Sequence, residues 1–282
     1  MSYRGEGYME TFCFDIQARF GSFTKPLSTS GGLLTYRVPP KTSIRGMLGS
    51  IAGFDFKETL SLLDRLKLGI VPLSETRTKT TTFNSHYGNP RGRMVNIKQE
   101  ILINPSYRVI TDFSEIEETN RALEQINSIL EKNHINATIS SIYDGYRHLL
   151  DNNISYYDLY MGRNNFPLEL KTVDVELDMI TDPYGNEFEA IGIVPHEISS
   201  DFKVKEKPKE DSGLNISSPD TLKFHILKDI PIDQKENREY TETKDFIMKS
   251  IGERVKLMVT PEKNDYDYKY LKNSDGKLYV LF

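Results

Sequence analysis

Several features that mark familiar classes of protein are missing from this sequence. It has a single cysteine, Cys13, so no disulfide can form within the chain, and a reducing compartment is expected. It has no tryptophan, and no apolar run approaches the roughly 20 residues that a membrane helix needs. The opening residues, MSYRGEGYME, have no apolar signal core. These absences predict a soluble, cytoplasmic protein without membrane contact.

Motifs for common cofactors and reaction centres are also absent. The sequence contains no GxxxxGK[ST], GxSxG, HExxH or CxxC, and no pair of its five histidines has the spacing of a metal site. The alternating acids Asp174, Glu176 and Asp178 are more typical of a solvated strand face than of a cation site. The sequence therefore predicts neither a cofactor nor a metal.

Charge is distributed unevenly along the chain. The formal net charge of −5 argues against a protein that coats nucleic acid over its whole surface. Residues 65–108 nevertheless contain eight bases and two acids, whereas residues 109–189 contain five bases and 16 acids. A basic segment beside an acidic body is typical of a localised polyanion site, although a solvated loop without acids gives the same count.

The residue pattern predicts an α+β fold, with helices covering one face of an antiparallel sheet. Residues 9–20 alternate as in a half-buried strand, with Phe14 and Ile16 on the apolar face. Three helices are predicted: 42–53, capped by Thr42 or Ser43; one from Asp55, boxed by Glu58 and closed by Gly69; and 114–133, boxed by Ser114 and Glu117. Residues 74–100 predict an exposed β-hairpin or arm, and residues 200–220 a flexible linker before terminal strands.

The stretch LTYRVPPKTSIRGMLGSIAG, residues 33–52, predicts an anion site. Free N–H groups at a helix start favour a phosphate, and Arg45 adds a forked, charged donor in the first turn. Tyr36, just before, can stack on a base. The alternative is that Arg45 pairs with a nearby acid and that Tyr36 lies in the core.

Three segments resemble CRISPR-associated protein family five, a branch of the RAMP superfamily. They are FGSFTKP…TSGGLLTYRVPPKTSIRGMLGSIAG, ILINPSYRVI and LYMGRNNFPLEL, which occur in the family's order within about residues 10–195. The resemblance implies a ferredoxin-like, RNA-recognition-type palm over residues 1–195, with a β-hairpin thumb at about 74–100. Residues 196–282 then form a small β-rich C-terminal segment that carries no family motif.

The resemblance further implies a non-catalytic subunit of a type I Cascade complex, in the style of subtype I-B. Such a subunit binds the 5′ repeat-derived handle of the CRISPR RNA and caps a filament of backbone subunits. Its implied partners are the backbone subunit, the large subunit, a CRISPR RNA-processing nuclease and, through the complex, target DNA. The RNA-binding candidates are Tyr36, which precedes the opening helix; Lys41, Ser43 and Arg45 at the start of that helix; Arg163 from the glycine-arginine loop; and, by charge alone, Arg77, Lys79, Arg91 and Arg93.

Two alternatives remain open at this point. One branch of the family, in subtype I-C, processes precursor RNA without a metal, which would make Tyr36 and Lys98 catalytic here. This chain has Gln99 where that branch places a histidine, and glutamine neither takes nor gives a proton. The second alternative is a scaffold whose basic arm binds acidic protein surfaces.

Overall fold

The computed structural model describes residues 10–26, 32–86, 94–200, 224–259 and 267–282. Over these residues the fold is mixed α/β and rich in strands. The helices are α1 (Lys41–Ile51), α2 (Phe56–Leu62), α3 (Asn120–Lys132) and α4 (Ile142–Asp151). The strands are β1 (Thr11–Gln17), β2 (Phe20–Gly21), β3 (Phe23–Thr24), β4 (Thr35–Tyr36), β5 (Lys67–Pro72), β6 (Arg77–His86), β7 (Met94–Ile103), β8 (Ser106–Asp112), β9 (Glu169–Val173), β10 (Leu177–Met179), β11 (Glu187–Ala190), β12 (Val194–Pro195), β13 (Phe224–Gln234), β14 (Tyr240–Lys249), β15 (Val255–Met258), β16 (Lys269–Asn273) and β17 (Leu278–Leu281). Among the described helices, none has the length and apolar character needed to cross a membrane.

A four-stranded antiparallel sheet with the order β5-β8-β1-β9 lies at the centre. The predicted alternation of β1 is confirmed, since Phe14 and Ile16 are fully buried in the main core. The other face of β1 is covered as well, because Cys13 packs with Leu271 and Tyr279 from the end of the chain. Burial raises the pKa of the Cys13 thiol to about 12, so it acts as a small apolar side chain.

The helices pack on the Phe14 face of this sheet, and their ends differ from the predicted ones. The capping box at the start of α2 is confirmed, because the Asp55 side chain accepts from the Glu58 N–H and Glu58 accepts from the Asp55 N–H. α3 begins later than predicted, with Thr119 rather than Ser114 as its cap. α4, which was not predicted, is capped by Ser141 and buries an apolar stripe.

Gly69 was assigned wrongly to the end of a helix. It lies within β5, where the carbonyl oxygen of Val280 would be 2.9 Å from an added Cβ. The strand was missed because the helical spacing of Leu60, Leu63 and Leu66 was extended to Gly69, although Leu66, Leu68 and Ile70 have the period of two of a strand.

The hairpin predicted near residues 74–100 is present as β6 and β7. Their register runs from Arg77 opposite Ile103 to His86 opposite Met94. β2 joins the base of the hairpin, where Phe20 pairs with Ile103. The predicted arm residues Arg91 and Arg93 lie outside the described residues.

The C-terminal segment shares sheets with the rest of the chain, so the predicted boundary at 195/196 does not separate two domains. β10 and β11 pair with β16, β17 and β15, and β12 pairs with β14. Phe246 and Phe282 belong to the same core as Phe14. These pairing partners lie far apart in sequence, so the local residue pattern does not reveal them. The predicted linker at 200–220 lies, except for Ser200, outside the described residues.

Candidate nucleic-acid interface

The start of α1 differs from the predicted anion site. The residue before the helix is Pro40, which makes no side-chain cap, and the Ser43 N–H donates to the Pro40 carbonyl at 2.9 Å. Neither Thr42 nor Ser43 therefore caps the helix. Ser43 is half-buried, and its contact with a phosphate stays a prediction.

Arg45 lies inside the protein, where only 3% of its side chain is exposed. Its Nη1 donates to Asp233 Oδ1 at 2.7 Å and its Nη2 donates to the Leu60 carbonyl at 2.9 Å. Although burial of Asp233 acts in the opposite direction, hydrogen bonds from the Gln234 backbone, Arg45 and Thr241 hold the pKa of its carboxyl below the usual value. The prediction that Arg45 faces a phosphate is therefore wrong, and the alternative, an internal ion pair, describes the structure.

Lys41, the second predicted phosphate ligand, is also buried. Its Nζ donates to the carbonyl oxygen of Phe282 at 3.0 Å. Burial, and then repulsion from Arg45, lowers the pKa of Lys41 to about 8. The C-terminal segment thus occupies the side of α1 that the sequence alone suggested was open.

Tyr36 belongs to the core rather than to an open stacking surface. It is 4% exposed, and its hydroxyl donates to the Asp229 carbonyl at 2.9 Å. The Lys25 ammonium lies 5.2 Å from the centre of the ring. Burial raises the pKa of Tyr36 to about 12. The predicted roles of Tyr36 in base stacking and in proton transfer both conflict with this position.

The three segments that carry the family resemblance meet in space. The Ser22 N–H donates to the Met161 carbonyl at 3.0 Å, and the Ser22 hydroxyl donates to the Glu100 carbonyl at 3.3 Å. The Thr35 N–H donates to Glu100 Oε2 at 3.1 Å. We call this region the hairpin junction; it comprises residues 20–24, 32–36, 98–103 and 160–167.

Two glycines allow the close approach of these segments. Gly162 has φ +86°, and an added Cβ would lie 2.2 Å from the Ser22 carbonyl oxygen. Gly32 has φ +141°, and an added Cβ would lie 2.6 Å from the Lys98 carbonyl oxygen. Both positions exclude a side chain for conformational and steric reasons, which accounts for the glycines of the two motifs.

Exposed or half-exposed bases surround the hairpin junction: Arg19, Lys25, Arg37, Lys79, Lys98 and Arg163. Lys79 and Arg163 were predicted as RNA contacts, and Lys98 entered only as a catalytic candidate. Arg77 is exposed but pairs with Glu75 at 2.9 Å. Lys79 pairs with Ile101 and Lys98 pairs with Thr82, so the two lysines lie on opposite faces of the hairpin. A group of clustered bases is the electrostatic footprint of a polyanion site.

Arg19, Lys25 and Arg37 were missed by the sequence reasoning. A signal for them exists, because residues 16–54 contain five bases and no acid. This segment lies before the basic stretch that begins at Arg65. Burial then divides the five bases, since Lys41 and Arg45 are buried while the other three reach the surface.

Comparison with known families bears on this region. Residues 11–106 match the family described as CRISPR-associated protein (Cas_Cas5). Over these residues the chain is similar to the Cas5 family. The match runs from β1 to the start of β8 and includes α1 and the β6–β7 hairpin, so the resemblance seen in the sequence is confirmed. The Cas5 match does not distinguish between subtypes.

Solved structures offer more distant likenesses. A CRISPR protein from Archaeoglobus fulgidus is 10% identical, with 96% of this chain and 97% of that chain covered and a TM-score of 0.41. A chain of a CRISPR RNA-guided surveillance complex is 14% identical, with 91% and 95% covered and a TM-score of 0.40. A chain of the type III-B Cmr-beta complex bound to cognate target RNA and AMPPnP is 12% identical, with 86% of each chain covered and a TM-score of 0.41. Likenesses at this level carry no argument about what this chain binds. No curated protein matches the sequence.

Proposed function

We propose that this chain is a non-catalytic, RNA-binding subunit of a type I CRISPR surveillance complex, of subtype I-B. It holds the 5′ repeat-derived handle of the CRISPR RNA and caps the filament of backbone subunits. The observation that carries the proposal is the group of exposed bases at the hairpin junction, five of which lie within the Cas5-family region.

In this proposal the central sheet is the palm and the β6–β7 hairpin is the thumb. The order of elements supports this assignment. β1, the pair α1 and α2, β5, β8, the pair α3 and α4, and β9 follow one another as in a β-α-β-β-α-β unit, and the hairpin is inserted between β5 and β8. An insertion at that point places the basic surface at one end of the palm.

Phosphates of the handle are assigned to the exposed bases and not to the buried ones. Arg37 is the best placed, because its backbone is fixed by the Tyr107 hydroxyl, which donates to the Arg37 carbonyl at 2.7 Å. Lys98 and Lys79 add contacts on the two opposite faces of the hairpin, and Arg163 adds one in the glycine-arginine loop. Arg77, Arg91 and Arg93 remain candidates from charge alone.

The non-catalytic role is supported by the positions of the two nuclease candidates. Metal-free RNA cleavage requires one group to take the 2′-hydroxyl proton and another to protonate the leaving oxygen. The Tyr36 hydroxyl is committed to a carbonyl and has a raised pKa, so it is a poor base. Lys98 is exposed on the hairpin. We therefore expect a separate nuclease to supply the processed RNA in the cytoplasm, and we expect the backbone and large subunits to bring this chain to target DNA.

Salt dependence of RNA binding tests the proposal. Replacing Arg37 or Lys98 by alanine should weaken binding of the repeat RNA and reduce the slope of log K against log salt by about 0.7 for each lost phosphate contact. Lys57→Ala is the matched control, because Lys57 is exposed on α2, outside the hairpin junction. Unchanged slopes in both test variants would refute the assigned surface, and a preference for acidic proteins over RNA would support the scaffold alternative.

A further inference from the structure

Two neighbouring tyrosines are exposed just before the hairpin-junction loop. Tyr156 and Tyr157 are 46% and 54% exposed. Their ring centres lie 4.7 Å apart, and the ring planes are nearly perpendicular. Among the described residues, neither hydroxyl makes a hydrogen bond. Contiguous exposed apolar surface marks interaction sites, whereas apolar residues scattered singly over a surface are ordinary.

The tyrosine pair is fixed to the end of α1. The Tyr156 N–H donates to the Ile51 carbonyl and the Tyr157 N–H donates to the Ser50 carbonyl, both at 3.1 Å. Gly53 leaves room for the first ring, because an added Cβ would lie 2.8 Å from Tyr156 Cγ. These bonds satisfy carbonyls at the helix end and hold the rings in place before any ligand arrives.

The pair is continuous with the hairpin junction. Only three residues lie between Tyr157 and Met161, a span of at most about 14 Å, and the Met161 carbonyl accepts a hydrogen bond from the Ser22 N–H. Arg163 follows in the same loop. An RNA strand that contacts the basic residues of the hairpin junction can therefore reach the rings of Tyr156 and Tyr157.

The local charge favours a nucleobase over a phosphate at the rings themselves. Asp158 is exposed directly after the pair, and its carboxylate accepts from the Tyr160 hydroxyl at 3.3 Å. A carboxylate repels the negative charge of a phosphate more strongly than it repels a neutral base. Aromatic rings bind unpaired bases of any sequence through stacking.

We propose that Tyr156 and Tyr157 form a stacking platform for an unpaired base of the bound RNA, next to the phosphate contacts of the hairpin junction. This inference rests on the proposed function, since it adds a base-binding site to the same RNA surface. It also predicts that the RNA is single-stranded where it crosses this platform.

The test uses the full chain and repeat RNAs that carry 2-aminopurine at successive handle positions. Stacking should quench the fluorescence at one position when wild-type protein binds. Tyr156→Ala or Tyr157→Ala should restore the fluorescence and weaken affinity about tenfold. Phenylalanine at either position should behave as wild type, and leucine, which keeps apolar bulk without a π-face, should behave as alanine.

The outcomes separate the platform from the function on which it rests. If wild-type protein binds the RNA but no position is quenched, or the alanine variants match wild type, the platform is wrong and the proposed function stands. Leucine variants that match wild type would show that apolar bulk suffices and would overturn stacking. Alanine variants that lose only assembly with other subunits would make the pair a protein-binding surface. If wild-type protein does not bind the RNA at all, both proposals fail.

Discussion

The ion pair between Arg45 and Asp233 should stabilise the fold without binding RNA. This prediction distinguishes the structural role of Arg45 from the phosphate-binding role that the sequence motif suggested. We expect Asp233→Ala to be more damaging than Arg45→Met. The alanine variant leaves a guanidinium that is 3% exposed without its carboxylate, whereas the methionine variant leaves a carboxylate that is 36% exposed and can be hydrated. The variants therefore differ in which charge is left unpaired.

The magnitude follows from this asymmetry. Removing one partner of a buried ion pair costs about 3–5 kcal/mol, and the lower end applies here because Asp233 borders solvent and Asp64 lies 3.9 Å from Arg45. Asp233→Ala should therefore cost about 3 kcal/mol. Arg45→Met keeps most of the packing and should cost about 1–2 kcal/mol for its lost hydrogen bonds. The double variant should be close to Arg45→Met.

Urea unfolding of the four proteins measures these differences, and RNA binding is measured on the same samples well below the unfolding transition. We expect the affinity of the folded variants to stay within twofold of wild type. An Arg45→Met protein that is as stable as wild type but binds the repeat RNA tenfold more weakly would refute this reasoning and restore Arg45 as a phosphate ligand.

Three further variants test other parts of the structure. Tyr36→Phe should lower the free energy of unfolding by about 1 kcal/mol through loss of the bond to the Asp229 carbonyl, and leave RNA binding unchanged; a large loss of binding would contradict a core role. Gly162→Ala should destabilise the hairpin junction by at least about 1–2 kcal/mol from backbone strain alone, and hydrogen exchange at Ser22 should rise; unaltered exchange would show that the contact is not tight. The pKa of Lys41 is about 8 in the folded protein against 10.5 for an ordinary lysine, so the folded protein loses this proton first. Between these pH values the free energy of unfolding of wild type should therefore rise, relative to that of Lys41→Met, by up to about 1.4 kcal/mol per pH unit. The same pH dependence of the free energy of unfolding in both proteins would contradict the burial of Lys41.

Local signals in the sequence were sufficient for several elements. The alternation of β1 and the capping box of α2 are encoded within a few residues, and each was found. The hairpin was found because a long polar segment lies between two apolar ones. Such features depend on neighbours along the chain, which the sequence displays directly.

Long-range partners were beyond the reach of the same reasoning. Arg45 binds Asp233, which is 188 residues away, and Lys41 binds the carbonyl of Phe282, which is 241 residues away. Nothing near the start of α1 reveals that strands from the end of the chain cover it. The start of a helix with two basic residues therefore resembled an anion site, although both residues bind partners inside the protein.

The motif glycines illustrate the intermediate case. The sequence identified Gly162 and Arg163 as a motif, but only the structure shows that Gly162 permits contact with Ser22. The basic residues on either side of α1 are distinguished from Lys41 and Arg45 by their exposure, which only the structure shows. Charged residues can be counted from a sequence, whereas the fold is needed to tell which of them reach the surface.

The most direct test of the central claim is to mix the purified chain with its end-labelled repeat RNA in EDTA, and to follow binding on one gel and cleavage on another. We predict that the RNA is retained and remains uncut, and that Arg37→Ala weakens this retention. A discrete cut at the handle boundary, abolished by Tyr36→Phe or Lys98→Ala, would contradict the account and make this protein a processing nuclease.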